Sequence, residues 1–151
     1  RRQALTDLNA YGHHDFSAGY MRRETFWNWA CLSADVDGVA VGLNLSCGVN
    51  ETSESENCVW RDGTLHTVGG VHFDYDYDDL MQPWTIRSSD ERVHLQFTPA
   101  GRHVEKLNLG LFASNFNQLF GQFSGSINIG AGDRIVLNQH YGFVEEQFAK
   151  W

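Results

Sequence analysis

Hydrophobic and polar residues alternate with a period of two along most of this chain. The alternation runs through Val39–Leu45, Val71–Tyr77, Val93–Thr98, Gln122–Ile129 and Ile135–Phe148, all rich in β-branched or aromatic side chains. An extended backbone sends successive side chains to opposite faces, so each segment predicts a half-buried strand. Asp37-Gly38 and Asp62-Gly63 sit between alternating runs. Glycine accepts the positive φ of a type I′ turn without a Cβ penalty, so each pair predicts a tight hairpin. Ser89-Asp90, Pro99-Ala-Gly101 and Gly130-Ala-Gly-Asp133 read as further turns, and helix is confined to a short turn near Leu5 to Leu8 or around Asn115 to Phe120. The expected fold is all-β, an antiparallel barrel or sandwich built from hairpins.

A two-residue turn at Asp37-Gly38 fixes the register of the first hairpin. Val36 then faces Val39, Leu32 faces Leu43, Cys31 faces Asn44 and Trp29 faces Ser46. One face of that hairpin carries Ala30, Leu32, Ala34, Val36, Val39, Val41, Leu43 and Leu45, an aliphatic surface that must be buried against another layer. The other carries Trp27, Trp29, Cys31, Asn44 and Ser46. Large indoles beside amide and hydroxyl groups suit the wall of a ligand pocket, although rings of this size also plug the ends of small barrels.

In the last strand, strict alternation places Leu137, Gln139, Tyr141, Phe143, Glu145 and Trp151 on one face and His140, Val144, Glu146 and Phe148 on the other. A carboxylate in either row must find a partner, take up a proton or reach water. In an apolar pocket its pKa rises, as a general acid requires. A bulge would exchange Glu145 for Glu146. Ahead of the first strand, His13 and Asp15 stand two residues apart and could supply acid/base groups beside the tryptophans. His72, Asp74 and Asp76 share a strand face but lack the pattern of a calcium loop, so they read as a solvated acidic face and no metal is expected.

Charge and composition narrow the classes. The chain has 151 residues, of which 42% are hydrophobic, enough for one globular core. With 11 Lys and Arg against 19 Asp and Glu the net charge is -8, which disfavours nucleic acid. No apolar run approaches a membrane span. Three cysteines, Cys31, Cys47 and Cys58, match no zinc spacing, and a reducing, cytoplasmic setting is the expectation. A Cys47–Cys58 bridge across the acidic loop Asn50 to Glu56 is the alternative. No phosphate loop or nucleophile elbow is present, and no cofactor is expected.

The blocks Gly12-His-His-Asp-Phe-Ser, Thr25-Phe-Trp-Asn-Trp-Ala, Val41-Gly-Leu-Asn-Leu, Glu56-Asn57, Asp62-Gly63, Tyr75-Asp76 with Met81-Gln-Pro-Trp84, Val93–Pro99, Phe120–Gly125 and Gly142–Trp151 occur in one order. That succession resembles the C-terminal portion of the family known as domain of unknown function 2804. The resemblance runs from Tyr11 to Trp151 and implies a lipocalin-like antiparallel architecture, akin to the two-lobed carotenoid hydratases. It also implies that residues 1–10 are a segment or linker from a preceding N-terminal lobe of the parent protein, with 11–151 as the β domain. The family pattern matches His13, Asp15, Trp27, Asn28, Trp29, Asn44, Glu56, Asn57, Trp84, Glu145, Glu146 and Trp151. Tyr20-Met-Arg-Arg-Glu24 and Leu80 depart from it.

Three functions stay open. One is a cofactor-independent acid/base enzyme acting by hydration, elimination or isomerisation on a small, partly apolar molecule. His13 and Asp15 would be base and orienter, with Glu145 or Glu146 as the acid. Another is a non-catalytic module for a lipid-like or sugar-like ligand, lined by Trp27, Trp29, Asn44, Ser46, Asn57, Trp60, Tyr75 and Trp84. The third is a structural or interaction subunit of a larger assembly.

Overall fold

The computed structural model describes residues 4, 10–16, 18–49, 55–130 and 132–151. The turn expected near Leu5 to Leu8 and most of the Asn50–Glu56 loop lie outside the described residues. Nine strands follow in chain order: β1 (Glu24–Val36), β2 (Val39–Cys47), β3 (Cys58–Arg61), β4 (Thr64–Thr67), β5 (Val71–Asp74), β6 (Trp84–Ser88), β7 (Val93–Asn108), β8 (Ala113–Gly130) and β9 (Asp133–Lys150). They form one antiparallel sheet in the order β4-β3-β2-β1-β9-β8-β7-β6-β5, curled into a half-barrel. No helix among the described residues is long and apolar enough to cross a membrane.

The topology is an up-and-down meander in which β9 returns to pair with β1. The sheet's two edges, β4 and β5, are consecutive in sequence and joined by Val68–Gly70. That linker ties the edges together without a ladder. Val68 N donates to Asn57 O at 3.0 Å, extending the β3–β4 hairpin, and Ser89 N donates to Gly70 O at 2.7 Å, extending β5–β6. Arg92 Nη1 donates to Thr67 O at 2.7 Å from the far side. Backbone groups that an open edge would expose are thereby partly satisfied.

Both Asp-Gly hairpins form as the sequence predicts. Asp37 and Gly38 have φ of 54° and 81°, and Asp62 and Gly63 of 49° and 76°. The register between β1 and β2 pairs Val36 with Val39, Leu32 with Leu43, Cys31 with Asn44 and Trp29 with Ser46. The aliphatic face of that hairpin is the inner, concave face. It is buried against Trp84, Phe97 and Phe123, each of which is fully enclosed. Tyr75 stacks on Trp84 with centroids 3.7 Å apart, and Phe97 meets Phe123 at 4.8 Å. Gly121 and Gly142 oppose each other where these rings pass; a Cβ on Gly142 would run into the Phe123 ring and the Cys31 carbonyl.

Three local expectations need correction. Asn115 to Phe120 is not helical but lies within β8, because its cross-strand partners in β7 and β9 complete the ladder. Pro99-Ala-Gly101 is not a turn; β7 continues through it, with an irregularity between Pro99 and Gly101 that absorbs the missing proline N–H. The strand ending the chain does not alternate strictly. Its register jumps from Gly125↔Leu137 to Phe123↔His140, so Asn138 and Gln139 together oppose Ser124. Gln139 takes φ of 58°, its N–H donates to Ser124 Oγ at 3.1 Å, and Asn138 N donates to His140 Nδ1 at 3.0 Å. Beyond this bulge the facing is inverted, so Leu137 and Val144 both point inward. The cysteines form no bridge: Cys31 and Cys58 are buried thiols, and Cys47 Sγ lies 4.0 Å from Asn28 Oδ1.

Candidate functional site on the outer face

Trp29 is the centre of the outer face. It lies in β1 between Ser46 of β2 and Glu145 of β9, its direct neighbours across the two ladders. Its indole Nε1 donates to Asn44 Oδ1 at 2.8 Å, which fixes the ring against the sheet. Residues ahead of β1 run over this face, and His13 meets Trp29 edge-on with centroids 5.2 Å apart and planes at 62°. The same segment brings Asp15 into the electrostatic neighbourhood of Glu145 and Cys31.

Two clefts flank Trp29. One, of about 980 Å³, is lined by His13, Asp15, Trp29, Glu145 and the aromatic rings of Tyr141 and Phe143. The other, of about 630 Å³, shares Asp15, Trp29 and Glu145 and adds Trp27, Asn44 and Ser46. Its floor is a hydrogen-bonded lattice. Ser46 N donates to Asn57 Oδ1 at 2.6 Å, Ser46 Oγ donates to Glu56 Oε1 at 2.5 Å, and Asn44 Nδ2 donates to Glu56 O at 3.1 Å. Asn57 is itself buried, so it positions Ser46 rather than facing the cleft.

Burial pushes the Glu145 carboxyl above its ordinary range. A hydrogen bond from Gln118 Nε2, 2.7 Å long, opposes the rise, the Asp15 charge adds to it, and the Trp27 indole opposes it more weakly. Among the described residues no ion pair involves Glu145. Burial and the nearby Asp15 charge favour the protonated form, and the bonds from Gln118 and Trp27 favour the ionised one. Cys31, at the base of the first cleft, is pushed up to about 12, by burial first and by the Glu145 charge second. It stays a thiol at neutral pH and is a poor nucleophile.

Glu146 faces the opposite side of the sheet. It pairs with Asn28 and Asn117 across the ladders, and Asn117 Nδ2 reaches its Oε1 at 3.4 Å. Burial raises its pKa; hydrogen bonds from Asn117 and Tyr75 and the charges of Arg102 and Lys106 hold it back. Asn28 Nδ2 donates to the Tyr75 hydroxyl at 3.1 Å. Trp84 is enclosed in the core with its Nε1 donating to Leu80 O at 2.9 Å. The sequence-derived residues therefore divide. His13, Asp15, Trp27, Trp29, Asn44, Ser46 and Glu145 gather on the outer face, while Tyr75, Trp84 and Glu146 belong to the inner one. Trp60 packs beside Gly42 on the outer surface, away from both clefts.

Gln118 was not singled out from sequence. It meets Glu145 only through the β8–β9 register, which the bulge shifts, so no local pattern marks it. The acidic strand face behaves as a turn anchor: Asp76 Oδ1 accepts from Asp78 N at 2.9 Å and Asp79 N at 3.2 Å. Among the described residues, no group of three or more His, Cys, Asp and Glu side chains is placed to hold a metal ion.

Fold and site together define an antiparallel half-barrel carrying an aromatic cleft with paired carboxylates on its outer face. The family model described as domain of unknown function DUF2804 matches residues 1–151, and the chain belongs to that family. No curated protein and no solved structure matches it.

Proposed function

We propose that the outer cleft binds a small, partly apolar molecule and performs acid/base chemistry on it, by hydration, elimination or isomerisation. The observation that carries this reading is the convergence of His13, Asp15 and Glu145 on Trp29, with Glu145 held up in pKa by burial and lacking an ion-pair partner among the described residues. Glu145 is the acid, its pKa raised by burial and by the negative charge of Asp15. His13, edge-on to Trp29, is the base. In a hydration the imidazole takes a proton from water as its oxygen bonds to one carbon of a double bond, and Glu145 gives its proton to the other carbon. The reverse sequence eliminates water. Positioned acid/base groups of this kind contribute about 10²–10⁴ in rate. The aromatic walls hold the apolar part of the substrate.

Non-catalytic binding at the same cleft is the second reading, favoured by its apolar walls, with Tyr141 and Phe143 beside Trp29. Mass spectrometry of small molecules retained by the purified protein separates the two. Catalysis expects a retained molecule that native protein converts on incubation, whereas Glu145→Gln and His13→Ala hold it unconverted. Equal behaviour of native and variant proteins would leave binding alone.

A further inference from the structure

We propose that the tip of the β7–β8 hairpin docks on an anionic lipid bilayer, its leucines inserted among the lipids and a collar of basic residues set on the headgroups. The inference stands independently of the outer clefts. The β7–β8 ladder ends at the pair Asn108↔Ala113, and the turn beyond it leaves Leu109, Leu111 and Phe112 exposed at 68%, 69% and 52%, with Leu107 at 51% beside them. Apolar residues scattered singly over a surface need no explanation, but this run forms one protruding tip.

The backbone of the turn is closed on itself. Leu109 N donates to Phe112 O at 2.8 Å, Leu111 N donates to Leu109 O at 3.0 Å, and Gly110 N donates to Asn108 Oδ1 at 3.0 Å. Arg23 Nη2 donates to Leu111 O at 3.1 Å, so the carbonyls of Leu109, Leu111 and Phe112 each have a partner. A turn that stays in water needs no such closure, because water satisfies what the chain leaves open, whereas a turn that enters lipid does.

The surroundings of the tip carry the complementary charge. Arg23 also bonds the carbonyl of Trp151, whose half-exposed ring lies at this end of the sheet, and Lys150 is opposite Ala113 in one ladder and Glu24 in the other. The acids beside the tip are engaged: Glu24 pairs with Lys150 at 2.8 Å and Glu105 with His103 at 2.9 Å. Among the described residues no ion pair involves Arg22, Arg23 or Lys106. A basic collar thus surrounds an apolar tip on a protein of net charge -8. A protein partner would need a pocket shaped to this loop; a fluid bilayer conforms to it, and acidic phospholipids supply the anions.

The test is co-sedimentation of the purified protein with vesicles of phosphatidylcholine, alone or mixed with phosphatidylserine, at low and high salt. Binding is expected to be about tenfold or more tighter to the mixed vesicles and to weaken as salt screens the collar. Leu109→Gln combined with Leu111→Gln should lower it about tenfold or more, through lost apolar insertion. Arg22→Gln and Lys106→Gln should each lower it about fivefold, the worth of one basic residue near an anionic surface. All four side chains are exposed, so the melting temperature should stay native and separate lost binding from lost fold. A spin label on the acyl chain should broaden the Leu109 and Leu111 methyl signals and spare Leu65, an exposed leucine of β4. No binding to the mixed vesicles, or undiminished binding by the leucine double variant, overturns the proposal. Self-association that this variant abolishes, without vesicle binding, overturns it in favour of a second copy of the chain.

Discussion

Glu145 and Glu146 are adjacent in β9 yet face opposite sides of the sheet, the first paired with Trp29 and the second with Asn28. Both carboxyls are pushed up in pKa, chiefly by burial. The sheet thus separates two half-buried acids into different environments. Glu145 has a second carboxylate nearby, while Glu146 has Arg102 and Lys106.

A pH dependence of stability follows from these shifts. A carboxyl whose folded pKa lies above its unfolded value of about 4.5 stabilises the fold below that value, and the contribution is lost as pH rises through the folded pKa. Native protein should therefore lose stability from pH 4.5 upward through the window of the two raised carboxyls. Glu145→Gln, which keeps the shape but has no charge to desolvate, should be more stable than native protein at pH 8, with the gap closing toward pH 4. Thermal melts across that range check it; a gap that widens on acidification would contradict the burial account.

The Trp29 indole bond to Asn44 yields a second expectation. Trp29→Phe keeps an aromatic ring but removes the donor, leaving Asn44 Oδ1 short of a partner. The expected loss is about 0.5–1.5 kcal/mol by denaturant unfolding. The His13 ring protons, whose ring centroid lies 5.2 Å from that of the indole, should move in the NMR spectrum by more than those of exposed His72. Unchanged His13 shifts would place that ring away from the cleft in solution.

Much of this site is legible in the chain, and the illegible parts share a cause. Asp37-Gly38 dictates the Trp29–Ser46 and Cys31–Asn44 pairs because a two-residue turn leaves no freedom of register. The aliphatic row from Ala30 to Leu45 then has to turn inward, which sends Trp27 and Trp29 outward. Glu145 is different. Its facing depends on the bulge at Asn138-Gln139, and that bulge is held by Ser124 on the neighbouring strand, a contact made only after the strands pair. His13 and Asp15 carry no periodic signal, since their segment has no ladder partner; their place over Trp29 is set by tertiary packing. Tyr75 and Trp84 carry the ring types of a pocket wall, but the residue after β5 and the first of β6 lie in the core, where their rings stack on each other.

Tyr75→Phe tests the inner network. The hydroxyl accepts from Asn28 Nδ2 and supports Glu146. Its removal leaves a buried amide donor with a long bond to Glu145 O, at 3.3 Å, as its remaining contact. A loss of about 1–3 kcal/mol is expected from an under-satisfied buried donor. The Glu146 pKa, followed by carboxyl-carbon NMR, should rise further, because one of the hydrogen bonds that lowers it is gone. The outer-face Glu145 should titrate as before, which distinguishes a local effect from general loosening.

Gly142 tests the close packing that lets β9 lie between β1 and β8. Its partner across β8 is Gly121, and the Phe123 ring occupies the space a side chain would need. Gly142→Val places two methyl groups against that ring and against the Cys31 carbonyl. Overpacking of this kind costs about 1–3 kcal/mol, and backbone obstruction puts this case at the upper end. Since Cys31, Gly142 and Glu145 all border the outer cleft, the displaced strand should also weaken the Gln118–Glu145 bond. Chemical denaturation measures the first effect and the Glu145 titration the second. A variant with native stability would mean that the Phe123 ring moves aside without loss, and that the paired glycines are a convenience of the sheet rather than a condition of it.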